Sequence, residues 1–258
     1  MISLAIANQK GGVGKSTLTV HLAHAAMEAG LKVLLVDMDS QGNLSMSFPC
    51  EANPSFLAAS DLFLPVDKKS NKFPLPIDGN SSIIKADMGL LAVDKAENQV
   101  IHLPRDHLKR YAKDYDLCLL DTPPLLGVRL MASLSAVNFV VTPFSVGVFE
   151  LAGFADLIQT IHVIKTQGFN PLLKHIGIVA MRTNSRSSLE QEVLDNLKVK
   201  YGEAVFADTL PERAAVREAV ASRRPVWQGV SGGSHIKAAK EWKKVCNLIL
   251  QKIGVAHG

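Results

Sequence analysis

The sequence predicts an α/β protein built on a single doubly wound, mostly parallel sheet with helices on both faces. Three observations predict it. Short, nearly continuous apolar runs recur along the 258 residues, as strands buried on both sides require. Stretches of helical periodicity lie between them, several closed by a glycine. The first apolar run also passes directly into a glycine-rich loop and then a helical pattern. With 47% hydrophobic and 20% charged residues the composition is ordinary for a globular chain. The length fits one large domain over residues 1–258.

Taken in order, the strand candidates are Ile2–Ala7, Lys32–Asp37, Leu117–Asp121, Asn138–Pro143 and Ile176–Met181. The spacing predicts helices over Ser16–Ala29, ending at Gly30, over Phe149–Gln167, ending at Gly168, and over Ser187–Lys200, ending near Gly202. Phe48–Gly79 carries Pro49, Pro54, Pro65, Pro74 and Pro76 with weak periodicity. It reads as an irregular excursion over the surface with one helical turn near Phe56–Phe63. The chain closes on Ser234–Ile253, where Trp242, Val245, Ile249 and Ile253 recur at helical spacing.

Several classes are excluded early. Cys50, Cys118 and Cys246 are far apart and form no CxxC pair, which argues against a disulfide framework, a zinc site or an iron–sulfur site. A reducing cytosol is the simplest compartment. The N-terminus enters its first strand without a basic leader, so no secretory signal is expected. No apolar run reaches the roughly 18 residues of a membrane span.

The loop Lys10-Gly11-Gly12-Val13-Gly14-Lys15-Ser16-Thr17 has the chemistry of a phosphate cradle. Its glycines let successive backbone N–H groups point inward, and the following helix adds the partial positive charge of its N-terminus. Lys15 would neutralise the β- and γ-phosphates of ATP, Ser16 would offer its hydroxyl to Mg²⁺, and Thr17 would support the α-phosphate. The usual pattern, G-x-x-x-x-G-K-[ST], places its first glycine where this chain has Gln9. In exchange there is a second lysine, Lys10, placed to project towards a neighbouring molecule's nucleotide. Asp37 and Asp39 end the second strand two residues apart, on one side of it, and Asp121 ends another. Ligands of doubly wound sheets lie beyond these carboxyl ends. One carboxylate of the first pair can serve the Mg²⁺ shell and the other an attacking water.

The stretch Asn8-Gln9-Lys10-Gly11-Gly12-Val13-Gly14-Lys15-Ser16-Thr17 resembles the deviant Walker A motif of the ParA/MinD family. The resemblance continues through Val33-Leu34-Leu35-Val36-Asp37-Met38-Asp39-Ser40-Gln41-Gly42-Asn43, through Asp121-Thr122-Pro123-Pro124, similar to the family's Walker B segment, and to Leu210-Pro211 and Glu218-Ala219. It implies a P-loop ATPase in which Lys10, Lys15 and Asp39 are catalytic, Asp39 positioning the water. Lys10, Gly11, Gly12, Val13, Gly14, Lys15, Ser16, Thr17, Asp37, Asp121 and Pro211 would bind the nucleotide, and Ser16, Asp37 and Asp121 the Mg²⁺. It also implies a homodimer formed on ATP. One departure is Ser40, where the family usually has proline, which leaves the turn less stiff.

Net charge is +4, unevenly spread: from Lys174 onward there are 14 Lys and Arg against 8 Asp and Glu. A basic third on a near-neutral body suggests a polyanion partner. Few aromatics argue against a stacking platform for single strands. The resemblance implies double-stranded DNA bound without sequence preference through Arg186, Arg213, Arg217, Arg223 and Arg224, with Arg186 in the family's usual place. The family's next arginine is replaced by Ala215. A ParB-like or adaptor protein would stimulate hydrolysis, and the protein would work in the cytoplasm at the nucleoid, positioning a plasmid, a chromosome region or a protein assembly. Because the loop starts near residue 8, a short form without an N-terminal DNA-reading domain is expected. Two other readings are weighed. A MinD-like membrane-cycling ATPase would use the final helix, but aliphatics at this spacing point to core packing. A metabolic ligase or metal-cluster carrier is disfavoured by Lys10 and by the lack of a cysteine pair.

Overall fold

The computed structural model describes residues 1–51, 54–67, 71–146, 150–184 and 187–255, with the backbone alone for 150–154. Among the described residues eight strands form one sheet: β1 (Ile2–Ile6), β2 (Val33–Asp37), β3 (Leu75–Pro76), β4 (Ser82–Ile84), β5 (Leu117–Asp121), β6 (Phe139–Ser145), β7 (Lys174–Thr183) and β8 (Leu210–Pro211). Their spatial order is β3-β4-β2-β5-β1-β6-β7-β8, and only the β3–β4 pair is antiparallel. The helices are α1 (Lys15–Glu28), α2 (Asn43–Ser47), α3 (Leu90–Val93), α4 (Leu103–Lys109), α5 (Val128–Ala136), α6 (Glu150–Thr166), α7 (Ser188–Tyr201), α8 (Ala214–Ala221) and α9 (Gly233–Lys252).

The central strands are apolar at every position because the sheet is covered twice. Leu4, Ile6, Leu35, Leu117 and Leu119 pack on one face with Leu18 and Leu22 of α1 and with Trp242, Val245 and Ile249 of α9. Their neighbours Ala5, Leu34, Val36, Cys118 and Leu120 pack on the other face with Leu108 of α4, Leu130 and Leu134 of α5, and Leu157 and Ile161 of α6. One-residue alternation thus assigns each strand residue to one of two cores. The spacing in α9 belongs to the first: Trp242, Val245, Ile249 and Ile253 are all buried there.

Helix ends follow local chemistry. Gly30, at φ 79°, closes α1: its N–H donates to Met27 O, and the Leu31 N–H reaches back to Ala26 O. That pair of bonds is the Schellman closure, which needs a left-handed residue at this point. Ser187 opens α7 by accepting the Glu190 N–H at 3.3 Å.

The 48–79 excursion departs from the sequence expectation. It has a 3₁₀ turn at Ala59–Phe63, close to the expected helical turn, but it does not merely lie on the surface. Leu57, Ala59, Leu62 and Phe63 fill the second core, and Leu75 of β3 joins the first. The short strands β3, β4 and β8 also escaped the periodicity reading, since two or three residues give no period to detect.

Candidate functional site

The carboxyl ends of β1, β2 and β5 meet at one place. In register, Ile6 and Asp37 both lie beside Asp121, so the loop after β1 and the carboxylates after β2 and β5 converge. Gly14, at φ 95°, turns the loop into α1, and a Cβ there would meet Met181 Cε at 2.7 Å. The turn therefore requires glycine. Lys15 is 7% exposed, and its Nζ donates to Lys10 O at 2.7 Å, across the loop's own mouth. Burial lowers the Lys15 pKa, while Asp121 and Asp39 oppose that shift. Asn8 braces the start of the loop: its Nδ2 donates to Pro143 O at 2.8 Å, and its Oδ1 accepts the Lys10 N–H at 3.0 Å.

Asp121 is fully buried, and neither carboxylate oxygen makes a hydrogen bond of normal geometry. Desolvation raises its pKa first and Asp37 second, while the nearby Ser16 hydroxyl and Lys15 oppose them. A sealed, unsatisfied carboxylate beside a serine and a phosphate cradle fits a hydrated divalent cation, since Mg²⁺ keeps several waters and takes one or two protein oxygens. No cluster of three His, Cys, Asp or Glu among the described residues could hold a metal alone, so phosphate and water oxygens would complete the shell.

Asp39 lines the cleft at 8% exposure. Its Oδ1 accepts the Gln41 N–H at 3.1 Å. Asp37 is placed differently from the expected metal contact. Its Oδ1 accepts the Asp39 N–H at 3.1 Å, and its Oδ2 accepts both the N–H and the hydroxyl of Ser45, at 2.8 and 2.7 Å. With both oxygens occupied, Asp37 orients Asp39 and anchors α2; burial raises its pKa despite those bonds.

A cleft of about 520 Å³ opens over the loop, lined by Gly11, Gly12, Gly14, Lys15, Ser16, Thr17 and Asp39, with Arg223 at its edge. Val13 is buried beneath it. Across Gly12 and Gly14 lies a second cavity of about 400 Å³, lined by Thr17, Met181, Pro211, Val216 and Trp242. Adjoining cavities of this size suit a polyphosphate and a heterocycle.

The comparisons agree with this geometry. A family model described as an AAA domain matches residues 1–175. Protein IncC of Escherichia coli is 30% identical over all of this chain, covering 71% of IncC. The chromosome partitioning protein ParA of Caulobacter vibrioides is 32% identical over 86% of this chain and 85% of its own length. The chain belongs to the ParA/MinD family of P-loop ATPases. Among solved structures, an ATP complex of McdA from Cyanothece superposes with a TM-score of 0.85 at 18% identity, covering 99% of this chain and 97% of that one, which shows the shared fold.

Within this ParA/MinD-family chain the expected DNA-contact residues differ in their engagement. Arg186 lies outside the described residues. Arg213 is committed inside the chain, with Nε and Nη2 bonded to the Glu241 carboxylate at 2.8 and 2.7 Å. Arg217 is exposed and pairs with Glu212 at 3.0 Å. Arg223 stands at the cleft, and Arg224 donates to Gln228 O. Sequence reasoning counted Arg182 only among the basic residues of the C-terminal third and did not single out Arg129, yet both arginines hold the site. Arg182, in the left-handed region at φ 56°, donates to Gly12 O and to Glu212. Arg129 donates to Met38 O, between the two aspartates. Neither carries a motif signal, because each acts on a backbone carbonyl far away in the chain.

Proposed function

We propose that this chain is an ATPase that dimerises on ATP, binds double-stranded DNA without sequence preference and hydrolyses ATP when a ParB-like or adaptor protein stimulates it. Through that cycle it segregates or positions a cargo in the cytoplasm, on the nucleoid, with residues 1–258 working as one ATPase domain. The observation that carries this reading is that buried Lys15, at the end of a loop that also presents Lys10, meets the buried carboxylates Asp121 and Asp39 from the ends of β5 and β2.

In this reading the loop N–H groups and Lys15 bind the β- and γ-phosphates, exchanging the Lys10 carbonyl for a charge-assisted contact. The base rests in the cavity beside Pro211. Ser16 and Asp121 would hold Mg²⁺, which would supply charge neutralisation at the phosphates. Asp39 orients a water for in-line attack, held in place by Asp37. The exposed side chains of Lys237, Lys240 and Arg217 offer cations to DNA phosphates. The burial of α9's apolar face against α1 favours DNA over a membrane surface as the partner. Among the described residues no helix is long and apolar enough to cross a membrane.

Lys10 tests the dimer directly. One lysine serves the loop's own phosphates; a second, five residues earlier, reaches the partner's nucleotide, so ATP joins the two protomers. Lys10→Ala should bind ATP nearly normally, yet fail to dimerise, bind DNA or hydrolyse ATP. Sedimentation with a slowly hydrolysed ATP analogue reads this out, and a stable dimer with normal turnover would rule the role out.

A further inference from the structure

Arg129 is the second residue of α5, the helix entered from the 122–127 loop that follows Asp121. Its side chain is 8% exposed. Nε and Nη2 form a fork on the carboxylate of Asp94, at the end of α3, with distances of 2.7 and 2.6 Å. The fork fixes the guanidinium plane and leaves Nη1 aimed at Met38 O, 3.0 Å away and 91 positions earlier in the chain. The Met38 N–H donates to Asp121 O at 2.9 Å. Met38 is thus held on both sides of its backbone, by the end of β5 and by α5. The next residue is Asp39.

The ion pair is only partly buried, with the Asp94 side chain 41% exposed, and a pair so open to solvent adds little stability. Stability alone therefore gives no reason for a guanidinium at this point. Its third contact does. The geometry points to Arg129 as a positioning residue for hydrolysis, which fixes the peptide carrying Asp39 and couples its carboxylate to the 122–127 loop. This inference rests on the assignment of Asp39 to the attacking water. A guanidinium suits the task because its rigid planar fork serves a carboxylate and a carbonyl at once; a lysine cannot hold both in fixed directions. Lys15 and the phosphate loop are braced separately, by Asn8 and Arg182.

The separation makes the inference testable. In Arg129→Gln and Arg129→Lys, single-turnover hydrolysis should fall about ten- to a hundredfold, the usual effect of a misplaced reacting group, with ATP affinity within about threefold. Asp94→Asn, which removes the fork but keeps the arginine, should give a smaller loss in the same direction and covers the case in which the Arg129 variants fold poorly. In an Asp39→Ala background Arg129→Gln should cost nothing further. A further loss there, or equal losses in affinity and rate, would show a structural role and overturn the inference. Hydrogen exchange supplies a readout independent of turnover. The Asp39 and Gln41 amides should exchange faster in Arg129→Gln, while those of Leu4 to Ile6 stay protected. Unchanged exchange at Asp39 and Gln41 overturns the positioning role. If the unsubstituted chain bound no ATP, the ATPase reading would fail and the exchange result would still decide on Arg129.

Discussion

Asp121 shows how one residue's surroundings set its chemistry. Burial and the neighbouring Asp37 raise its carboxyl pKa above the ordinary range. A carboxyl raised in this way is protonated over a wider pH range than a solvated one, while a metal requires it ionised. Binding of Mg²⁺ and ATP should therefore release protons, and affinity should weaken as the pH is lowered from about 8 to about 6, where an exposed aspartate would show no such loss. Titration calorimetry in two buffers of different ionisation heat measures the proton count. A buffer-independent heat together with flat affinity would show that Asp121 is ionised before the metal arrives. Sequence pattern alone located Lys15, Asp39 and Asp121, because motif spacing and strand ends are local properties. It did not foresee that Asp37 is engaged by Ser45, since those contacts come from a helix start eight residues on.

Among the elements, α9 is the one whose reading was most open in the sequence. Its stripe of Trp242, Val245 and Ile249 suits a membrane surface or a core, and periodicity treats the two alike. The structure packs it on α1, where Trp242 lies 4.1 Å from the His21 ring between centroids. His21 in turn bonds Thr17 O through Nδ1 at 2.7 Å and accepts the Val226 N–H at 3.2 Å. Burial lowers its pKa to about 4, so it is neutral at physiological pH. The helix behind the phosphate loop is therefore seated on α9. Trp242→Ala should destabilise the chain by about 3–5 kcal/mol, as buried tryptophan truncations do. It should also weaken ATP binding, through loss of the second cavity's floor. Urea denaturation with and without ATP checks both; a loss below about 1 kcal/mol would mean that α9 is not seated in the core in solution.

Over the whole molecule the cationic groups divide into two populations. Arg129, Arg182 and Arg213 are engaged within the chain, on Asp94 and Met38 O, on Gly12 O and Glu212, and on Glu241. Arg217, Lys237 and Lys240 are exposed. Arg217 gives up only a solvent-screened surface pair with Glu212 to meet a phosphate, whereas Arg129 and Arg213 would have to break two-bond forks, so net charge overstates the binding surface. DNA affinity should require ATP and fall steeply with salt, by a slope of about 0.9 per phosphate contact on a log–log plot. Arg217→Ala should lower that slope by about one, equally for unrelated sequences, with ATP affinity unchanged. Fluorescence anisotropy over a salt series measures it, and a strong sequence preference would count against this mode of binding.

The sequence by itself determined the class of fold, the five central strands, the phosphate loop and its two lysines, and the helix closures at Gly30 and Gly168. Each depends on residues adjacent in the chain: apolar runs, glycines that permit left-handed turns, and period. Only the tertiary structure decided that the 48–79 excursion fills part of the core, that Asp37 orients Asp39, that Arg213 is bound to Glu241 and that Arg129 holds Met38. The two arginine contacts depend on pairs brought together by folding from 28 and 91 positions apart, Arg213 with Glu241 and Arg129 with Met38. An arginine's partner is set by where the sheet delivers it, and no local pattern encodes that.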